Sequence, residues 1–354
     1  MSSRYEDSRH SLERDSSWIS ARRRGGVLLG VLALACGGEQ SAPRAETSSA
    51  AAEVPATGTA AETRPDIPAW EVSEVYARGT HVVLLGSGTP NADPDRSGTA
   101  IAVLVDGVAY LVDAGPGVVR RASAAARRGV EGLLPPRLDI VFLTHLHSDH
   151  TVGLPDLLLT PWVLERDAPL RVFGPEGTQE MMGHLLAAWR SDIESRLSGA
   201  HPVTSEGHKV EAVNIASGVV YRDERVTVRA FQVPHEGVTH AFAYRFDTAD
   251  RSIVISGDTG PTETVAEVCG GCDVLLHEVY SADAFRRHLP EWQRYHSRAH
   301  TSTTELAELA SRARPGLLVL YHALLWGVAP DALVAEVAEG YDGPVVFGRD
   351  LDVY

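Results

Sequence analysis

In the run Thr144-His145-Leu146-His147-Ser148-Asp149-His150, three imidazoles and one carboxylate fall within six residues. Imidazole and carboxylate are the ligands that divalent zinc, manganese and iron prefer. The run directly follows an apolar segment, residues 139–143, whose β-branched and aromatic character predicts a strand. Four ligand-type side chains on a loop at a strand end can turn toward one point, so the chemistry to expect is metal-assisted hydrolysis. A second pair of metal- or redox-type residues, Cys269 and Cys272 with two glycines between them, is a weaker signal. One CxxC without a partner pair points to redox or zinc chemistry only loosely, and a tight disulfide is the competing expectation.

These side chains need a scaffold, and the rest of the 354-residue chain has the composition for one, with 44% hydrophobic and 22% charged residues. Strands are predicted over residues 81–85, 100–105, 109–113, 139–144, 170–173, 226–233, 241–246, 252–256, 273–277 and 317–321. Helices are predicted over 117–128, 154–163, 177–197, 261–269, 303–312 and 331–339. Alternation of hairpins with strand–helix units implies sheets covered by helices, with the reactive side chains in the loops after strands.

The first 74 residues read differently. Residues 1–36 form a basic stretch ending in Arg22-Arg23-Arg24, then an apolar run that stops at Cys36. That run is too short to span a bilayer but suits a signal peptide, and Ala33-Leu34-Ala35-Cys36-Gly37 is similar to a bacterial lipobox. Residues 37–74 are rich in Ala, Ser, Thr, Glu and Pro and read as a tether, leaving 75–354 as the catalytic unit. The expectation is therefore an exported protein, periplasmic or held at the membrane through a lipidated Cys36. Formal charge is −15, and residues 1–36 carry six Arg against four acids, so the remainder is near −17. Such an acidic surface argues against a nucleic-acid partner.

His-x-His-x-Asp-His after a strand resembles the second motif of the metallo-β-lactamase superfamily, and other motifs follow in order. Leu111-Val112-Asp113-Ala114-Gly115 resembles the first, Val233-Pro234-His235 the third, Ser256-Gly257-Asp258-Thr259 the fourth and Val319-Leu320-Tyr321-His322 the fifth. The resemblance implies an αββα sandwich with two divalent metals at one edge, most simply Zn2+, with Mn2+ or Fe2+ as alternatives. It assigns His145, His147 and His235 to one metal, Asp149, His150 and His322 to the other, and Asp258 to both, with Asp113 supporting the ligand loop. Asp258 and the metals would hold the attacking hydroxide. By the same analogy His300 donates a proton to the leaving oxygen and Glu278 orients it. The alternative for His300 is a place at the start of the following helix, where Thr301 and Ser302 read as N-caps.

Leu85-Gly86-Ser87-Gly88-Thr89-Pro90, Gly153-Leu154-Pro155-Asp156-Leu157, His277-Glu278 and His300-Thr301-Ser302 are similar to the ribonuclease Z branch, which also contains phosphodiesterases and exported arylsulfatase-type hydrolases. The tRNA enzymes of that branch carry a long arm before the Gly-Asp-Thr turn; here only residues 247–251 separate the flanking strands. Together with the leader, this favours an exported hydrolase of a small anionic phosphate diester or sulfate ester, a possible homodimer. The competing readings are a ribonuclease Z-like tRNA 3′ endonuclease, a lactamase, lactonase or thioesterase, and a metal-dependent sensor without turnover. Residues 281–298, with Arg286, Arg287, His288, Trp292, Arg294, Tyr295 and His296, either cover the site or form a solvent-facing helix. Trp326 is either a pocket wall or core.

Overall fold

The computed structural model describes residues 76–354. The expected leader, tether and Cys36 lie outside the described residues. The first half of the described chain forms a sheet of β1 (Thr80–Gly86), β2 (Ala100–Val105), β3 (Val108–Val112), β4 (Ile140–Phe142), β5 (Leu170–Gly174) and β6 (Val210–Asn214), which lie side by side in chain order. β1–β3 run antiparallel, and from β3 onward neighbours are parallel. The parallel steps need crossovers. Helix α1 (Val118–Ala126) supplies the first, α2 (Ser148–Thr151) and α3 (Leu154–Val163) the second, α4 (Thr178–Ala188) and α5 (Arg190–Ser198) the third.

A second sheet contains β7 (Gly218–Arg222), β8 (Thr227–His235), β9 (Val238–Asp247), β10 (Ser252–Ile255), β11 (Val274–Tyr280), β12 (Leu317–Leu324) and β13 (Val345–Phe347), again in sequential order. Its helices are α6 (Glu263–Cys269), α7 (Ala282–Phe285), α8 (Pro290–Ala299), α9 (Thr303–Ala313) and α10 (Pro330–Ala338).

Period-two alternation sorts the strand side chains into two layers. On β1, Val82 and Leu84 join Phe142, Tyr244, Phe246 and Leu276 between the sheets. Val83 and Leu85 point the other way, under Val118 and Ala122 of α1 and Leu157 and Trp162 of α3. The second sheet does the same with α6, α9 and α10, through Val265, Leu306, Leu309 and Leu333. Helix, sheet, sheet and helix therefore stack in that order, and the expected αββα sandwich is borne out.

Several elements differ from their sequence reading. The helix expected over 177–197 is two helices, with the chain turning at Trp189 (φ −99°, ψ 11°). β6 and β7 were not legible because they are half-exposed edge strands without clear alternation. Inside α3, Pro161 has no N–H to offer the Leu157 carbonyl four residues earlier. The buried Arg166 guanidinium supplies one instead: it donates to Leu157 O at 3.0 Å and to Leu158, Leu138 and Gly207 carbonyls at 2.7–2.8 Å. Cys269 and Cys272 form a buried disulfide where the chain leaves α6. Among the described residues no helix is long and apolar enough to cross a membrane.

Candidate metal centre and active site

The candidate metal ligands sit in segments that follow a strand, at a strand end, or in a bulge within one. Asp113 follows β3, the His145–His150 loop follows β4, His235 ends β8, Asp258 follows β10, and His322 lies within β12. His322 owes its direction to a bulge. Tyr321 pairs with Glu278 and Ala323 with Val279, so His322 is the unpaired extra residue, and its φ of 42° swings the ring toward the loop after β4. Gly257, with φ 60°, is required for Asp258 to reach the same place, because a Cβ there would lie 2.9 Å from Phe242 O and from Thr144 Cβ.

The protons on the imidazoles are placed by their outer partners. Asp113 accepts from the Thr144 N–H at 2.8 Å and from the Thr144 hydroxyl, which is thereby left to accept from His145 Nδ1 at 3.1 Å. His150 Nδ1 donates to Asp113 Oδ2 at 2.8 Å, and His235 Nδ1 donates to the Ala299 carbonyl at 2.7 Å. For His145 and His235 this leaves the Nε2 lone pair bare and turned inward, and His150 Nε2 turns inward as well. There, His235 Nε2 lies 3.3 Å from His147 Nδ1, and His150 Nε2 lies 3.4 Å from Asp258 Oδ1 and 3.5 Å from Asp149 Oδ2. His322 Nε2 is 3.2 Å from Asp149 Oδ2, and its Nδ1 is 3.4 Å from Asp258 Oδ1.

Four of these inward atoms, His145 Nε2, His150 Nε2, His322 Nδ1 and Asp258 Oδ1, are buried without any hydrogen-bond partner. Buried polar atoms without partners are rare and costly, and here they face one another. The ligand atoms of His145, His147 and His235 lie within 4.8 Å of each other, as do those of Asp149, His150 and His322. Asp258 falls into a group with His145 and His150 and into another with His300 and His322. The donor set fits divalent cations, and His145, His147, Asp149, His150, His235, Asp258 and His322 are the residues able to hold them.

Electrostatics agrees. Burial holds His145 well below the ordinary imidazole value and His235 at about 4, so both present neutral lone pairs. Burial opposes charge on Asp258, but His322 and His150 hold its carboxyl well below the usual range. For His150 burial is outweighed by Asp258 and Asp113, which raise it well above the ordinary value. A cation bound by Nε2 would take the place of that proton.

His300 does not cap the next helix. Ser302 does, in a capping box with Glu305. His300 ends α8 and points its Nδ1 at Glu278 Oε2, 3.2 Å away, while Glu278 Oε1 accepts from the Thr301 N–H at 2.7 Å. Burial raises the Glu278 carboxyl, and for His300 the adjacent Glu278 outweighs burial and raises the imidazole. His300 also lines a pocket of about 420 Å³ together with His147, Asp149 and Asp258. Residues 281–298 form α7 and α8, of which α8 and the preceding His288 line one side of that pocket, and Trp326 is a half-buried pocket wall. The Ala299 carbonyl and Thr144, which orient His235 and His145, escaped the sequence reading. Nothing in a residue's type marks a backbone carbonyl, and only adjacency to His145 could have drawn attention to Thr144.

A helix-covered double sheet with histidines and carboxylates able to hold cations gathered at its strand ends defines a class, the metal-dependent hydrolases of αββα fold. The chain belongs to the metallo-β-lactamase superfamily, in its ribonuclease Z branch. Residues 109–323 match the family model described as a beta-lactamase superfamily domain. The ribonuclease Z of Mycobacterium sp. (strain KMS) is 38% identical over 275 residues, covering 76% of this chain and 94% of that protein. The ribonuclease Z of Mycobacterium bovis (strain BCG / Pasteur 1173P2) is 33% identical over 276 residues, covering 76% and 96%. Among solved structures, the metallo-β-lactamase fold protein YhfI from Bacillus subtilis superposes with a TM-score of 0.61 at 17% identity (78% of this chain, 98% of that one). The short form of human tRNase Z superposes at 0.56 and 21% (77% and 98%). Both likenesses concern the fold.

These relatives overturn the exclusion of nucleic acid. Enzymes named ribonuclease Z act on RNA, and this chain aligns with nearly their whole length. The exclusion failed because net charge is a sum over the entire surface, whereas binding depends on the local field and contacts at one cleft. The short β9–β10 connection does not separate the chain from these relatives either. An alignment of 275 positions that takes in 94% of the relative leaves no room in it for a long arm absent here.

Proposed function

We propose that this protein is a ribonuclease Z-like phosphodiesterase that cuts RNA next to a structured 3′ end, with two divalent metals, most simply zinc, in the centre described above. The observation that carries the reading is the convergence of seven ligand-type side chains, four of whose inward atoms are buried and unpartnered, in a chain 38% identical to a ribonuclease Z. His145, His147 and His235 would hold one metal, Asp149, His150 and His322 the other, with Asp258 between them. When bound, the metals activate a water and neutralise charge developing on phosphorus. The protein's own part is positional. Asp113, Thr144 and Ala299 fix the imidazole tautomers, Asp258 and Asp149 line the pocket that would receive the phosphate, and Glu278 holds the Nδ1 proton of His300. His300 is thereby left with its Nε2 proton for the leaving oxygen.

A small aryl phosphate or sulfate ester is the second reading, favoured by the Cys269–Cys272 disulfide, which suits an oxidising compartment away from tRNA. The deciding assay incubates the purified protein with a precursor tRNA bearing a 3′ trailer and, separately, with bis-p-nitrophenyl phosphate and p-nitrophenyl sulfate. Trailer removal that stops on chelation is expected. Hydrolysis of the chromogenic esters with no cut in the RNA would replace the first reading by the second.

A further inference from the structure

Beyond the metal ligands, the pocket at the active site has one wall of an unusual kind. Leu324, Trp326, His288, His296, Trp292 and Tyr295 line it on the side of His300. The rings form a continuous surface: Trp326 lies 4.2 Å from His288 and 4.8 Å from His296 between centroids. Trp292 stacks on His296 at 5.6 Å with an interplanar angle of 23°, and Tyr295 stands 6.3 Å from His300. Despite its size Trp292 is 51% exposed, and Leu289 on the same segment is 60% exposed. A large ring left bare beside a reaction centre is informative, since burial is its default.

The position of His300 says which part of the substrate meets this wall. A proton donor must lie within hydrogen-bond reach of the leaving oxygen, so the pocket that contains His300 receives the leaving group. A second cleft of about 480 Å³, lined by Leu146, Glu176, Val238 and His240, shares His147 with the first. A diester bound at the centre thus has a second cleft at hand for its other substituent.

From this geometry we infer that the wall formed by α8 and Trp326 is a stacking subsite for one planar aromatic ring of the leaving group. In RNA this is the unpaired nucleobase of the nucleotide whose oxygen departs. The inference rests on the ribonuclease reading and assigns a base to one side of its cut. Stacking on aromatic side chains is tolerant of base identity and needs no hydrogen-bond code, and five of the six side chains of this wall present a ring.

The test uses the full chain loaded with zinc, the variants Trp292→Leu and Trp326→Leu, and one RNA in three forms: intact, abasic on the leaving-group side of the cut, and abasic on the other side. The fragment ending in a free hydroxyl identifies the leaving side. Each variant is expected to lower kcat/KM on intact RNA about 10-fold, as expected from the loss of one stacked base. The same loss should appear in the unaltered protein when the leaving-side base is removed, and the two losses should not multiply. Removal of the other base should multiply with the variants. Trp292 is already half outside the fold, so its variant reports on binding even where Trp326→Leu disturbs packing. Losses that multiply on the leaving side, or no loss in either variant, would overturn the stacking subsite while leaving the ribonuclease reading intact. Absence of any RNA cleavage removes that reading and the subsite with it.

Discussion

Replacing Glu278 by Gln changes one oxygen for one NH2 group at a fully buried site, and its effect can be worked out from the contacts. Gln can still accept from the Thr301 N–H, as Glu278 Oε1 does at 2.7 Å. Its amide nitrogen then faces His300 Nδ1 at about the place where Oε2 now lies 3.2 Å away, setting donor against donor. His300 must either turn or move its proton to the other nitrogen, and it loses the anion that supports its charged form. A hydrogen bond to a charged group is worth about 1.5–3 kcal/mol, which corresponds to a rate loss of roughly 10- to 150-fold. This lies within the roughly 10²–10⁴ that a general acid contributes in total. The loss should depend on the leaving group. An RNA oxygen departs as a poor leaving group and needs the proton, whereas p-nitrophenolate leaves as a stable anion. The assay is kcat/KM of E278Q on trailer RNA and on bis-p-nitrophenyl phosphate, with metal content measured on the same preparation. Equal losses on both substrates, or a drop in bound metal, would refute the assignment of His300 as proton donor and leave Glu278 a structural residue.

Asp258→Ala should abolish hydrolysis and lower bound metal below two per chain; retained turnover would show that the shared position is wrong. Chelation should stop hydrolysis and lower the melting temperature, with zinc or manganese restoring both, because ions that bind only the folded chain stabilise it by mass action; an unchanged melting curve would speak against a site built on these ligands. Arg166→Met removes the donor to the Leu138, Leu157 and Gly207 carbonyls, while Leu158 O keeps its intrahelical partner Trp162 N–H, so at about 1 kcal/mol or more each a loss of about 3 kcal/mol is expected in urea unfolding; less than about 1 kcal/mol would mean the carbonyls find other partners. Asp223 gives a pH dependence. Burial opposes its charge, but the hydroxyls of Tyr110 and Tyr221 and the N–H groups of Arg225 and Val226 outweigh it and hold the carboxyl below the usual range. A depressed folded pKa contributes stability above the unfolded value of about 3.9, lost as pH falls through the folded value. The stability gap between the natural protein and Asp223→Asn should therefore be widest near neutrality and close in acid; a gap that persists at about pH 2 would assign it to shape and not charge.

The amino-acid sequence by itself determined the ligand types and their order, because His-x-His-x-Asp-His and the later His235, Asp258 and His322 are matters of residue identity and spacing. It also determined the helix–sheet layering, since runs such as Val82-Val83-Leu84-Leu85 must bury both faces, α3 is strongly apolar and α9 opens on a capping box. What only the tertiary structure decided is direction and neighbourhood. Which nitrogen of each imidazole turns inward depends on partners distant in sequence, such as Ala299 O for His235. His322 reaches the centre through a bulge set by its pairing with β11. The short edge strands β6 and β7, the turn at Trp189 and the ring wall on α8 arise from contacts, not from local preference. Local propensity acts over a few residues, whereas a site is made where segments far apart in the chain are forced together by the burial of what lies between them.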